Sequence, residues 1–200
     1  MKNKDIIGPE APQTDDQIEA AIVGNKQPLN STIHLAPYDP AWPMQFEVLK
    51  KQICEVLKTT VLQLEHVGST SVPGLSAKPV IDMVLVVTDS SEETSYVKPL
   101  EEIGYTLRIR EPDWYEHRVL NPPVIKGNLH VFSPGCEEID RMIMFRDWLR
   151  THPEDRDHYE NTKGELAART WKYVQNYADA KSEVVQDILS RAHRSRVGRE

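Results

Sequence analysis

The run "KPVIDMVLVV", Lys78 to Val87, constrains this chain most. A strand that faces solvent on one side alternates apolar and polar residues, because successive side chains point to opposite faces. This run is apolar at almost every step, which predicts a central strand covered on both faces. Asp82 is its one acid. A carboxylate in such a strand must be hydrogen-bonded, paired with a cation or bound to a metal. Lys78 is near enough in sequence to be its partner.

A central strand needs neighbours and covering helices, and the rest of the chain supplies them. "TVLQLEHVG" predicts a strand before it, and "YTLRIR", "YEHRVLN" and "NLHVFSP" predict three more after it. "YDPAWPMQFEVLKKQICEVLK" predicts a helix with Asp39 as cap and Pro40 at its first position. Trp42, Phe46, Leu49, Ile53 and Leu57 recur at helical spacing and are expected to face the core. "SSEETSYVKPLEEIG" predicts a helix capped by Ser90 or Ser91 and stopped by Gly104, with Pro99 kinking it or ending it early. From about residue 137 the patterns are helical throughout, with Pro153 at a helix start. The expected fold is α+β: a mixed sheet of about five strands flanked by helices, with a helical C-terminal third. Residues 31–195 make one domain in this reading. Residues 1–30 form a weakly packed arm with a short helix ended by Gly24, and residues 196–200 form a tail. "STIHLAP" alternates like a short strand.

Bulk properties narrow the function. The net charge of -7 argues against a general nucleic-acid binder, since phosphate backbones attract clustered Lys and Arg. No apolar run approaches the ~20 residues that span a bilayer. The first residues lack an apolar signal core, so a cytoplasmic location is expected. The two cysteines, Cys54 and Cys136, are far apart and are expected as reduced thiols. The His residues show no zinc spacing.

Between the first two strands lies "GSTSVPGLSA". Gly68 allows a backbone to approach a ligand closely. Ser69 and Thr70 add hydroxyls and N–H groups that can cradle an anion. Asp82 follows about a dozen residues later. That spacing suits a divalent cation on Asp82 facing phosphates held in the turn, with Lys78 neutralising charge.

These stretches carry a resemblance. "HVGSTSVPGLSAKPVIDMVLVV", with "YDPAWPMQF" before it and "NLHVF" and "FRDWLRTHPEDRDHYENTKGELA" after it, resembles the GrpB family over roughly residues 33–190. That family resembles the nucleotidyltransferase superfamily related to DNA polymerase beta. The resemblance implies a Mg²⁺- or Mn²⁺-assisted transfer of a nucleotidyl group from a nucleoside triphosphate to an acceptor. Asp82 and Glu65 would be catalytic. One departure stands out: the superfamily places two acids two apart on a strand, and here the second position is Val84. Paired metals need shared ligands. Glu65 and His130 are the candidates to complete a metal set with Asp82, and His66 points the other way if the strand persists. Arg108, Arg110 and Arg118 are candidate phosphate ligands, because guanidinium groups bind phosphate bidentately; Glu111 and Asp113 are their alternative partners. Tyr159 and Lys163, four apart on one helix face, reach the cleft or pack at the surface. Three readings follow: a divergent nucleotidyltransferase, a nucleotide- or anion-binding module without transfer, or a scaffold whose helical third docks a protein.

Overall fold

The structure is a computed structural model and describes residues 11–197. Five strands, β1 (Gln63–Val67), β2 (Ile81–Val86), β3 (Thr106–Glu111), β4 (His117–Asn121) and β5 (Gly127–Phe132), form one sheet in the order β1-β2-β5-β4-β3. Only β2 and β5 run parallel; the other three pairings are antiparallel. The apolar run of β2 thus lies inside the sheet, with Ile81, Met83, Val84 and Leu85 almost wholly excluded from water.

Register sorts the side chains between two faces. Ile81, Met83 and Leu85 share one face with Leu129, Val131 and Leu120. That face is covered by α2 (Ala41–Leu57) and α3 (Val97–Glu102), and together they make the largest apolar cluster. The stripe Trp42, Phe46, Leu49, Ile53 and Leu57 of α2 is buried as its spacing predicts. Asp39 accepts from the Ala41 N–H at 2.8 Å, so the expected cap is made. Pro99 sits in the first turn of α3, where no N–H is needed. The expected longer helix is therefore replaced before it by a 3-10 turn at Glu93–Ser95.

The opposite face carries Asp82, Val84 and Val86 beside Asn128, His130 and Phe132. It is covered by α4 (Glu137–Thr151) at the Val84–Phe132 end, where Ile139 packs. Helices α5 (Pro153–Ala167), α6 (Val174–Asp179) and α7 (Ser182–Val197) complete this layer. The stretch read as one long helix after Lys172 is broken between α6 and α7 at Ala180–Lys181.

The N-terminal segment corrects the expectation of a weakly packed arm, so far as it is described; residues 1–10 lie outside the described residues. Helix α1 (Asp15–Ala21) has a capping box from Thr14 and Gln17 and buries Ile18. Ile22 bridges Ile109 at the sheet edge, and Leu29 N–H donates to the Lys172 carbonyl. "STIHLAP" makes isolated bridges at Ser31 and Ala36 rather than a strand. Among the described residues no helix is long and apolar enough to cross a membrane. Cys136 is buried, Cys54 half-buried, and both are free thiols.

Candidate functional site

A cavity of about 380 Å³ lies between the polar end of the second sheet face and the helical layer. The turn after β1 forms its rim. Gly68 has φ +68°, which favours glycine, and a Cβ added there would lie 2.6 Å from Asp82 Oδ2. The bare backbone is therefore what lets the turn close over the acid. Arg150 holds the turn from α4, donating to the Ser71 carbonyl at 2.8 Å and 3.0 Å.

Asp82 lines the cavity and is half-buried. Asn128 donates to its Oδ1 at 2.8 Å. Burial raises its pKa, while Asn128, Lys78 and Lys181 act to lower it. Lys78, expected as the partner, is electrostatically coupled to Asp82 and half-buried in the same wall. Lys181 enters from the break between α6 and α7, its ammonium 4.3 Å from the Tyr177 ring centroid. Burial draws its pKa down to about 8. Lys163 on α5 is 1% exposed and donates to Ser69 Oγ at 3.1 Å and to the Ser76 carbonyl. Burial, with Lys181 nearby, draws it down to about 7. Tyr177 is 5% exposed and lines the cavity, and among the described residues its hydroxyl has no hydrogen-bond partner.

The structure brings Gly68, Ser69, Thr70, Lys78, Asp82 and His130 to this cavity. Thr70 is already committed: its hydroxyl donates to the Val80 carbonyl and contacts His66 Nε2 at 3.0 Å. His66 lies on the opposite sheet face, stacked on Phe46, as the alternation of β1 predicts. Burial draws its pKa down to about 4.

The remaining candidates are corrected. Glu65 shares the face of Asp82 but is held by Arg146 Nη1 at 2.8 Å, outside the cavity. His130 is two residues along β5 from Asn128 and bonds His117, so Asp82, Glu65 and His130 do not converge. Among the described residues no group of three or more His, Cys, Asp and Glu is placed to hold a metal. Arg110 and Arg118 both grip Glu93 on the far face, at 2.7 Å and 2.6 Å. Arg108 reaches the Asn25 carbonyl beside the sheet edge. None of these three arginines lines the cavity, because strand alternation and the Glu93 turn take them elsewhere.

Mg²⁺ and Mn²⁺ take several oxygen ligands, usually from one or two carboxylates, waters and substrate phosphates. Here Asp82 stands among Lys78 and Lys181, whose charges repel a cation, and Glu138, the other carboxylate on the cavity wall, is held by Arg141 at 2.8 Å. Val84, where the second acid would stand, is 0% exposed and packs with Val67, Val86 and Phe132. The residues do not fit a paired-metal centre.

The GrpB protein family model matches residues 32–191. The chain belongs to the GrpB family. It is 57% identical to UPF0157 protein BH1888 of Halalkalibacterium halodurans over 91% of this chain and 93% of that protein. It is 38% identical to UPF0157 protein SCO7215 of Streptomyces coelicolor over 90% of this chain and 94% of that one. The crystal structure of GrpB from Enterococcus faecalis superimposes with a TM-score of 0.71 at 30% identity, covering 81% of this chain and 98% of the other.

Within this GrpB domain, sequence reasoning missed Asn128, Tyr177 and Lys181. Asn128 had a signal: it sits two residues before His130 on the strand that pairs with β2. Tyr177 had one too, since its spacing with Val174 and Val184 reads as an apolar, core-facing stripe; Lys181 did not, because its stretch reads as continuous helix and the break at Ala180–Lys181 is what turns it inward.

Proposed function

We propose that the cavity binds a small phosphorylated ligand of the nucleotide class as a metal-independent anion site, without the nucleotidyl transfer that two metal-bridging acids would support. The observation that carries this reading is the convergence of unspent donors. Among the described residues the ammonium groups of Lys78 and Lys181 make no hydrogen bond, and the Tyr177 hydroxyl has no partner. A buried donor without a partner, as the Tyr177 hydroxyl is, is costly, and the half-buried Lys78 and Lys181 line the same cavity, so the site offers three donors to an acceptor-rich ligand. Buried lysines crowding one another have lowered pKa values, a pattern that clusters at functional sites. Ser69 Oγ and the turn's backbone add neutral contacts at the rim.

Thermal unfolding with pyrophosphate, ATP and CTP, each in EDTA and in Mg²⁺, tests this. A ligand at 100 times its Kd adds about 2.7 kcal/mol. Stabilisation is expected in EDTA, is lost in Lys181→Met, and survives in Lys51→Met on the exposed surface of α2. Stabilisation that requires Mg²⁺ would restore the metal reading, and no stabilisation by any of the three anions would end the anion-site reading.

A further inference from the structure

Three side chains that the anion site does not use stand in a row across neighbouring strands. Glu111 on β3 faces His117 on β4, and His117 faces His130 on β5. The Glu111 carboxylate lies 2.7 Å from His117 Nδ1. His117 Nε2 lies 3.0 Å from His130 Nδ1. The two imidazoles are stacked, with centroids 5.2 Å apart and planes 9° from parallel. Phe132 stacks on His117 at 4.7 Å, and Trp114 meets it edge-on at 5.0 Å. Packing therefore fixes both rings. Gln13 also donates to Glu111 at 3.0 Å, which holds the carboxylate in place.

This row ends at the cavity. His130 lines it, and also lines a second cavity of about 520 Å³ on whose wall Glu111 and His117 sit. One nitrogen of His130 is engaged by His117; the other, Nε2, has no hydrogen bond to a described residue. His130 is the Cα partner of Val84, two residue pairs along the strands from Asp82 and Asn128.

Proton counting sets the character of that nitrogen. A carboxylate accepts, so His117 Nδ1 carries a proton. Neutral His117 then has a bare Nε2, which can only accept from His130 Nδ1–H. Neutral His130 has one ring proton, now spent, and its Nε2 is left as a lone pair. We propose that the row Glu111–His117–His130 presents His130 Nε2 to the cavity as a fixed hydrogen-bond acceptor, and that the phosphorylated ligand meets it with a hydroxyl or N–H group. The inference rests on the anion-site reading for its ligand, but the tautomer it assigns does not. Burial draws the His130 pKa down to about 3, so this imidazole stays uncharged and reads a donor rather than moving a proton. Glu111 and His117 are positioning residues; His130 is the group that touches the ligand.

A second proton on His117 would reverse the row. His117 Nε2–H would donate to His130 Nδ1, and Nε2 of His130 would carry the hydrogen. The groups that govern this are Glu111 on β3 and His130 on β5. Across the second cavity stand Glu137, Glu138 and Arg141 of α4 and Asp179 of α6. Arg118, next along β4, points to the far face and is held by Glu93.

Nitrogen-15 NMR of the labelled full chain reads the tautomer without any ligand. At pH 7.5 a protonated Nδ1 and a bare Nε2 are expected for His130. Glu111→Gln, whose amide both donates and accepts, should abolish the single tautomer. A protonated Nε2 in the wild-type chain would overturn the proposal. Ligand recognition is then read with two probes of equal charge, glycerol 3-phosphate and n-propyl phosphate, beside pyrophosphate. The hydroxyl-bearing probe should bind roughly 3- to 10-fold more tightly, the scale of one neutral hydrogen bond. His130→Phe, which keeps a ring but removes the acceptor, should erase that difference. Equal affinity of the two probes in the wild-type chain sinks donor recognition while the anion site stands. If none of the three anions binds, the anion site and the recognition both fall, and the tautomer is judged by NMR alone.

Discussion

The two faces of one sheet follow different rules. Under α2 and α3, Leu85, Met83 and Leu129 are sealed within the largest apolar cluster. Under α4 to α7, the same strands begin apolar at Val84 and Phe132 and become polar at Asp82 and Asn128. One face holds the fold together. The other keeps a cavity in whose largely apolar wall lysines, arginines, hydroxyls and the acids Asp82 and Glu138 are set. Stability and recognition are thus separated by a single strand's alternation, so that position 83 belongs to one task and position 82 to the other.

The contrast breaks most clearly in packing. Leu85→Ala on the sealed face should cost about 2–5 kcal/mol in urea unfolding. Met142→Ala, at the cavity wall, should cost about 1 kcal/mol, typical of a partly buried position. Equal costs would mean that the cavity side is packed as tightly as the core. A second test uses charge. The folded Lys163 pKa of about 7 lies below its unfolded value near 10.5. Between those limits the unfolded chain binds more protons, so stability rises with pH. Relative to Lys163→Met, the wild-type chain should gain about 2 kcal/mol between pH 6 and pH 9. A flat difference would show that the lysine is not held in a desolvated wall. The finest test concerns the rim. Gly68→Ala should destabilise through its positive φ and its collision with Asp82. In the Asp82→Ala background the penalty should shrink by about 0.5 kcal/mol or more, read by a double-mutant cycle. Additive effects would show that the turn and the acid do not press on each other.

Much of this was legible before any coordinates. An apolar run with one acid places β2 in the sheet interior and Asp82 at an edge of its burial. The spacing of Trp42 to Leu57 identifies the covering face of α2. What stayed hidden depends on partners far along the chain. Glu65 meets Arg146 across 81 residues, and Arg110 and Arg118 meet Glu93 across 17 and 25. Each was read as a possible ligand because no local pattern reveals a distant counter-charge. Lys181 was hidden for a different reason: its inward turn comes from a two-residue interruption, Ala180–Lys181, between two helices, which no periodicity predicts. Tyr177 falls on the apolar stripe of its helix and reads as core. His117 was passed over because its value lies in register alone, opposite Glu111 and beside His130.

The segment before residue 31 has an effect out of proportion to its contacts. Gln13 N–H donates to Asp179 Oδ2 at 2.9 Å and its side chain to Glu111 at 3.0 Å, while Lys172 holds Asp15 at 2.8 Å. One short stretch therefore fastens the outermost strand to the final helices, like a buckle across two straps. The helices so fastened carry Tyr177 and Lys181, and the strand carries Glu111. Shortening the chain at its beginning would loosen that strand and those helices together, and would take Ala11 and Gln13 out of the wall of the second cavity.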